Sequence, residues 1–224
     1  MDSMLSTIFL DNDGVLVDTE KYYFEANQET CRTFGYDLSR EEYRRLFLSN
    51  GSGLGEVAQR LGWPEKKLAE VRVGRDALYY DYVTTRDIAM AGIAEGLERL
   101  AGRFGLCIVT SSPRPFFDAI HRRTGFSKFF RQVVSEDGVT NHKPHPEPYL
   151  AGLRLMNSTP DQALAIEDSE RGLRSALGAG LQCIVIPQEL TRNQNFDGAT
   201  AVEPTFLDAV KVIEQNALYR EDPV

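Results

Sequence analysis

The chain has 224 residues, 42% hydrophobic and 26% charged, a composition that supports a buried core and excludes a disordered chain. With 33 acidic against 25 basic residues its formal net charge is −8, which argues against binding nucleic acid or an anionic membrane through a basic surface. Three cysteines, Cys31, Cys107 and Cys183, contain no CxxC pair and suggest neither a disulfide framework nor a cysteine zinc site. No apolar run is long enough to span a membrane, and MDSMLSTIFLDND lacks the basic region of a secretory signal, so a soluble cytoplasmic protein is expected.

In chain order, the apolar run TIFLD ends at Asp11 and reads as a first buried strand. From about Asp18 to Thr85 the pattern is helical, in TEKYYFEANQETCRTFGY, SREEYRRLF, GEVAQRLG and PEKKLAEVRVGRDALYYDYV, punctuated by Gly35, Gly51 to Gly55, Gly62 and Pro64. Helical GIAEGLERLAGRF then precedes the strand run LCIVT, ending at Thr110, and PRPFFDAIHRRTG precedes a weaker run, FFRQVVS. Helical PEPYLAGLRLM leads to the strand ALAIED, ending at Asp168, and SERGLRSALGAG leads to LQCIVIP. AVEPTFLDAVKVIEQNA reads as a last short strand and a closing helix. Short runs apolar on both faces, alternating with helices, predict an α/β fold with a doubly wound, Rossmann-like parallel sheet. Residues 1–16 and 86–224 are expected to form this core, with 17–85 as an inserted helical domain.

Ligands of such sheets bind at the carboxyl ends of the strands, where Asp11, Asp13, Thr110, Ser111, Ser112, Glu167 and Asp168 converge. Asp11 and Asp13, two apart in extended chain, share a side, and Gly14 permits a sharp exit. One carboxylate can attack and the other exchange a proton with the leaving oxygen. Taken alone, Asp-Asn-Asp-Gly reads equally well as a turn, Lys143 as a loop lysine, and Glu167-Asp168-Ser169 or Thr110 to Pro113 as helix caps. Gly51-Ser52-Gly53-Leu54-Gly55 fails the dinucleotide fingerprint, because Glu56 stands where the third glycine belongs. His121, His142 and His145 have no ligand-like spacing, and exposed loop roles are expected for His142 and His145.

Four motifs in order, IFLDNDGVLVDTE, IVTSSPR, HKPHPEPYL and IEDSERGLRSALGAG, resemble those of haloacid-dehalogenase-like phosphatases and cover nearly the whole expected core. The resemblance implies that Asp11 attacks phosphorus and that Asp13 protonates the leaving alcohol and later activates water. It implies that Thr110, with N–H groups near Ser111 and Ser112, holds phosphoryl oxygens and that Lys143 neutralises charge. It also implies Mg2+ between Asp11, Asp168 and the Asp13 carbonyl, with Glu167 as a further ligand. Asn12, at a place often apolar in the family, is read as a spacer.

The helical insert resembles the cap of the subgroup that holds beta-phosphoglucomutase and small sugar-phosphate or phosphoglycolate phosphatases. Mutases there carry a histidine early in the first cap helix, where this chain has Tyr23. The expected activity is therefore magnesium-dependent hydrolysis of a small phosphate ester, with a phosphosugar mutase and a non-catalytic binding protein as alternatives. Tyr22, Tyr23, Arg44, Arg45 and Ser52 are candidates for facing substrate, and hinges are expected near Leu16 to Thr19 and Thr85 to Ile88. No nucleic-acid or membrane partner is implied, and the state expected is a monomer or small homo-oligomer.

Overall fold

The computed structural model describes residues 4–49 and 51–215. These residues form two compact units, one from residues 4–18 and 89–215 and the other from Thr19–Ile88.

The first unit is built on a six-stranded parallel sheet: β1 (Thr7–Leu10), β2 (Gly105–Val109), β3 (Phe130–Val134), β4 (Ala163–Glu167), β5 (Gln182–Val185) and β6 (Ala201–Val202). The strand order is β3-β2-β1-β4-β5-β6, with every neighbouring pair parallel. Sequence order reverses at β1 and β4, so the crevice at their carboxyl ends is the switch point where such folds bind ligands. Leu10 pairs with Ile108 on one side and Ile166 on the other, which brings Asp11, Thr110 and Asp168 to one edge of the sheet.

Strands β1, β2 and β4 are buried along their whole length, because helices cover both faces and neither alternate set of side chains meets water. Ile8, Leu10, Leu106, Ile108, Leu164 and Ile166 pack with α5 (Ile93–Ala101), α9 (Phe206–Gln215) and Phe117 of α6 (Arg114–Thr124). On the opposite face Phe9, Cys107, Val109 and Ala165 pack with α7 (Glu147–Met156) and α8 (Glu170–Gly178). Burying each of the larger aliphatic side chains stabilises the fold by about 1.5–3 kcal/mol. The expected closing helix appears as α9, and the last two residues of its sequence run, Asn216 and Ala217, lie outside the described residues.

The second unit holds α1 (Glu20–Thr33), α2 (Arg40–Tyr43), α3 (Gly53–Leu61) and α4 (Glu65–Thr85). Ser39 caps α2 by accepting the Glu42 N–H at 3.2 Å. The run SREEYRRLF does not continue as one α-helix; after Tyr43 the chain takes a π-helical course over Arg44–Ser49. Helix α1 packs on α4, with the Tyr22 and Tyr82 rings 6.2 Å apart. Among the described residues no helix is long and apolar enough to cross a membrane. The three cysteines are buried thiols, and burial pushes Cys107 up to about 12 and Cys31 up to about 11.

Candidate active site

Asp11 follows β1 directly, and its backbone N–H donates to Ile166 of β4 at 3.0 Å, extending the ladder one residue past the strand. The chain then turns: the Leu16 and Val17 N–H groups donate back to the Asn12 carbonyl at 2.8 and 3.2 Å. Asp-Asn-Asp-Gly thus forms a turn. Gly14 takes a φ of +81°, and a Cβ placed on it would lie 2.4 Å from Asp168 Oδ2. Any larger residue would collide with Asp168, the acid that follows β4.

Lys143 ties three strand ends together. Its ammonium lies 3.0 Å from Asp11 Oδ1 and 2.6 Å from Glu167 Oε1, and donates to the Val109 carbonyl at 2.8 Å. That accounts for all three ammonium donors. Burial alone would lower the Lys143 pKa, but Asp11 and Glu167 more than offset this and hold it above the ordinary lysine range. It is a fixed cation, unsuited to giving up a proton near neutrality. Glu167 is fully buried, and burial followed by the Asp11 charge raises its carboxyl, with Lys143 pulling it back.

The loop that carries Lys143 is anchored from several sides. Arg171 and Ser175 of α8 donate to the Lys143 and His145 carbonyls at 2.6 and 2.7 Å. The Glu147 carboxylate accepts from the Thr140 and Asn141 N–H groups at 2.8 and 3.0 Å. Arg171, Ser175, Glu147 and Tyr149 lie within the motif sequences but carry no role that the motifs assign. The Tyr149 hydroxyl donates to Glu167 Oε1, and the sequence did hold a signal for it. Tyr149 stands one helical turn before Leu153 on the buried stripe of α7, where a hydroxyl has to find a partner.

Thr110 is buried, accepts the Ser112 N–H at 3.0 Å, and places its hydroxyl 3.5 Å from Asp13 Oδ2. Ser111 is exposed and Ser112 buried. The run Thr110 to Pro113 supplies no side-chain cap to α6, whose first N–H, that of Arg114, donates instead to Asp137 Oδ2 at 2.8 Å. Ser169 does cap α8, accepting the Gly172 N–H at 3.2 Å, while Glu167 and Asp168 face elsewhere. His142 and His145 are exposed loop residues, whereas His121 is buried.

Asp11, Glu167 and Asp168 each offer a carboxylate oxygen, and these lie within 4.8 Å of one another. Such hard oxygen donors suit Mg2+, which favours a few carboxylates completed by water and substrate. Glu167 Oε1 already receives Lys143 and Tyr149, and Oε2 lies against Gly172 with no hydrogen-bond partner.

The family model of haloacid dehalogenase-like hydrolases matches residues 8–186. The chain belongs to that family. Protein CbbY of Cereibacter sphaeroides is 33% identical over 92% of this chain and 94% of its own length. A phosphorylated carbohydrates phosphatase of Thermotoga maritima is 29% identical over 80% of this chain and 84% of its own. A crystal structure of a CbbY variant from Rhodobacter sphaeroides, in complex with xylulose-(1,5)bisphosphate, superposes with a TM-score of 0.79 at 30% identity, covering 91% of this chain and 95% of that one. As a member of this hydrolase family with phosphatases among its relatives, the protein is a phosphoric monoester hydrolase.

Proposed function

We propose that the protein hydrolyses a small phosphorylated carbohydrate, with Mg2+, through a phosphoryl group carried on Asp11. The observation that carries this reading is the pairing of Asp11 with the buried Lys143 ammonium at 3.0 Å, beside Asp13 and Thr110. Both contacts that fix Asp11, from Lys143 and from the Asn12 N–H at 2.8 Å, engage Oδ1. One carboxylate oxygen is thereby held while the other carries neither bond.

In the first step an Asp11 oxygen bonds to phosphorus as the ester P–O bond breaks, and Asp13 gives its proton to the departing alkoxide. In the second, Asp13 takes a proton from water, whose oxygen bonds to phosphorus and displaces Asp11 as a carboxylate. Lys143, with the Thr110 hydroxyl and the N–H groups of Ser111 and Ser112, offsets charge on the equatorial oxygens. A bound Mg2+, held by Asp11, Asp168 and the Asp13 carbonyl, would supply further neutralisation of the same oxygens. Glu167 is assigned to this centre chiefly through Lys143, which it holds.

The Thermotoga phosphorylated carbohydrates phosphatase and the CbbY variant crystallised with xylulose-(1,5)bisphosphate support a sugar phosphate. A mutase reading asks for a histidine where Tyr23 stands. Tyr23 packs edge-on to Tyr79 and Phe47 at 5.1 and 6.4 Å, and its hydroxyl accepts from Arg75. Hydrolysis is therefore the preferred reading. The helical unit is assigned the role of a cap that selects the ester. Of the residues suggested there, Tyr22 is bonded to the Asp87 carbonyl at 2.7 Å and Arg45 is paired with Glu56 at 3.1 Å.

Hydrolysis of 4-nitrophenyl phosphate tests the chemistry, and a panel of sugar mono- and bisphosphates and phosphoglycolate tests the substrate. Turnover is expected to vanish on chelation, return with Mg2+, and be lost in Asp11→Asn with the fold retained. Full turnover without metal, or in Asp11→Asn, overturns the reading.

A further inference from the structure

Asn12, placed between the two aspartates, is fully buried, and its side chain reaches in two directions. Nδ2 donates to Asp13 Oδ2 at 3.2 Å, and Oδ1 lies 2.8 Å from His121 Nε2. His121 hangs from α6 among aromatic rings, with Phe117, Phe126 and Phe130 centroids 4.3, 6.5 and 6.2 Å away. Its Nδ1 meets Thr124 Oγ1 at 3.3 Å, and Thr124 Oγ1 accepts the Phe126 N–H at 3.3 Å. A mere spacer between two aspartates has no need of a buried amide, which is costly unless its bonds are made.

The direction of the protons follows from the Asp13 end. The Asp13 Oδ2 that accepts faces the Asn12 NH2, so Asn12 Oδ1 is left to accept from His121 Nε2. His121 Nε2 then carries the ring proton, and Nδ1 accepts from the Thr124 hydroxyl at 3.3 Å. The opposite tautomer would reverse the amide and set its oxygen against Asp13 Oδ2. Burial pulls the His121 pKa down to about 4, so the ring is neutral at working pH and one tautomer persists. The Thr110 hydroxyl, 3.5 Å away, also points at Oδ2.

We propose that Asn12, His121 and Thr124 are positioning residues that hold Asp13 Oδ2 as an acceptor and so orient the carboxyl that gives its proton to the leaving oxygen. This rests on the assignment of Asp13 as the acid–base group. The relay touches neither substrate nor phosphorus; it acts through Asp13. Its loss therefore hurts esters whose alkoxide needs protonation and spares those whose leaving group departs as an anion.

The test is single-turnover release of the alcohol, with enzyme in excess and Mg2+ present, from phenyl phosphate and from 2,4-dinitrophenyl phosphate. In Asn12→Leu the ratio of dinitrophenyl to phenyl rate is expected to rise about tenfold, a fraction of what general acid catalysis contributes. His121→Gln, whose amide NH2 still donates toward Asn12, is expected to restore most of the native ratio. Thr124→Val lies one step further out and keeps the shape of the site. It carries the test should Asn12→Leu fail to fold, with a rise of about threefold expected, since only the tautomer bias is lost. An equal slowing of both esters, or of neither, overturns the proposal. Asp13→Asn separates the two levels: if it leaves the ratio unchanged, the acid–base assignment itself fails; if it raises the ratio while the relay variants do not, only the positioning inference fails.

Discussion

Gly14→Ala tests whether the first motif's backbone sets the approach of Asp11 to Asp168. At φ +81° the residue lies in the left-handed region, where a Cβ costs roughly 1–2 kcal/mol. The same Cβ would stand 2.4 Å from Asp168 Oδ2 and 2.7 Å from its Cγ, against an ordinary contact of 3.4 Å or more. The Asp168 carboxyl must then retreat by about 1 Å, the scale at which misplacement in an active site costs about a hundredfold in rate. Disturbing the shell around a metal site costs roughly 10–100-fold in affinity. The assay is a magnesium titration of 4-nitrophenyl phosphate turnover, paired with urea unfolding in chelator. Unfolding free energy is expected to fall by about 1–3 kcal/mol and the magnesium midpoint to rise at least about tenfold. A normal midpoint alongside the stability loss would show that Gly14 is only a turn residue and that Asp168 does not depend on it.

Gly172→Ala should act on the other acid, because its Cβ would fall 1.9 Å from Glu167 Oε2; urea unfolding is expected to show a loss of about 1–3 kcal/mol, with turnover reduced through Lys143. Lys143→Met leaves Asp11 and Glu167 without their buried cation, and a loss of about 3–5 kcal/mol is expected, greater at pH 8 than at pH 5 because one carboxyl then gains by protonation. A Lys143→Met protein as stable as the parent at pH 8 would refute the charge argument. His121 supplies a signed pH dependence. Its folded pKa, about 4, is below the unfolded 6.5, so its contribution is full above pH 6.5 and disappears as pH falls toward 4. That contribution is about 3 kcal/mol over this window, and His121→Gln should flatten the stability curve there by that order if His121 titrates as described.

The parallel sheet is readable because its runs are short, apolar on both faces and alternate with helices, which is what strands covered on two sides require. The helical insert was equally plain from its period and its lack of strand runs. Less readable was anything that depends on where two elements meet. Asn12 reads as a spacer from the resemblance alone; the partner of its side-chain oxygen, His121, is 109 residues away on α6. A hint did exist, since His121 falls one turn after Phe117 on the buried stripe of that helix. A polar ring in that phase needs a partner, and the sequence cannot say which. The same holds for Arg171 and Ser175, which look like ordinary helix residues until α8 is laid beside the Lys143 loop.

The consecutive acids Glu167 and Asp168 show why the last motif needs the glycines it has. Neighbouring residues at a strand end point to opposite sides, so the two carboxyls leave the chain in different directions. Glu167 turns inward to Lys143 and Tyr149, and its far oxygen rests where a Cβ of Gly172 would be. Asp168 turns toward the first motif and rests where a Cβ of Gly14 would be. One glycine lies in the helix that follows the pair, the other in a turn more than 150 residues earlier, yet each vacates the volume that one acid occupies. Exchange the two acids and each loses its recess: a glutamate at 168 is one methylene too long for the space beside Gly14, and an aspartate at 167 falls short of Lys143. The order Glu-Asp, rather than the mere presence of two acids, is thus what the site's geometry demands.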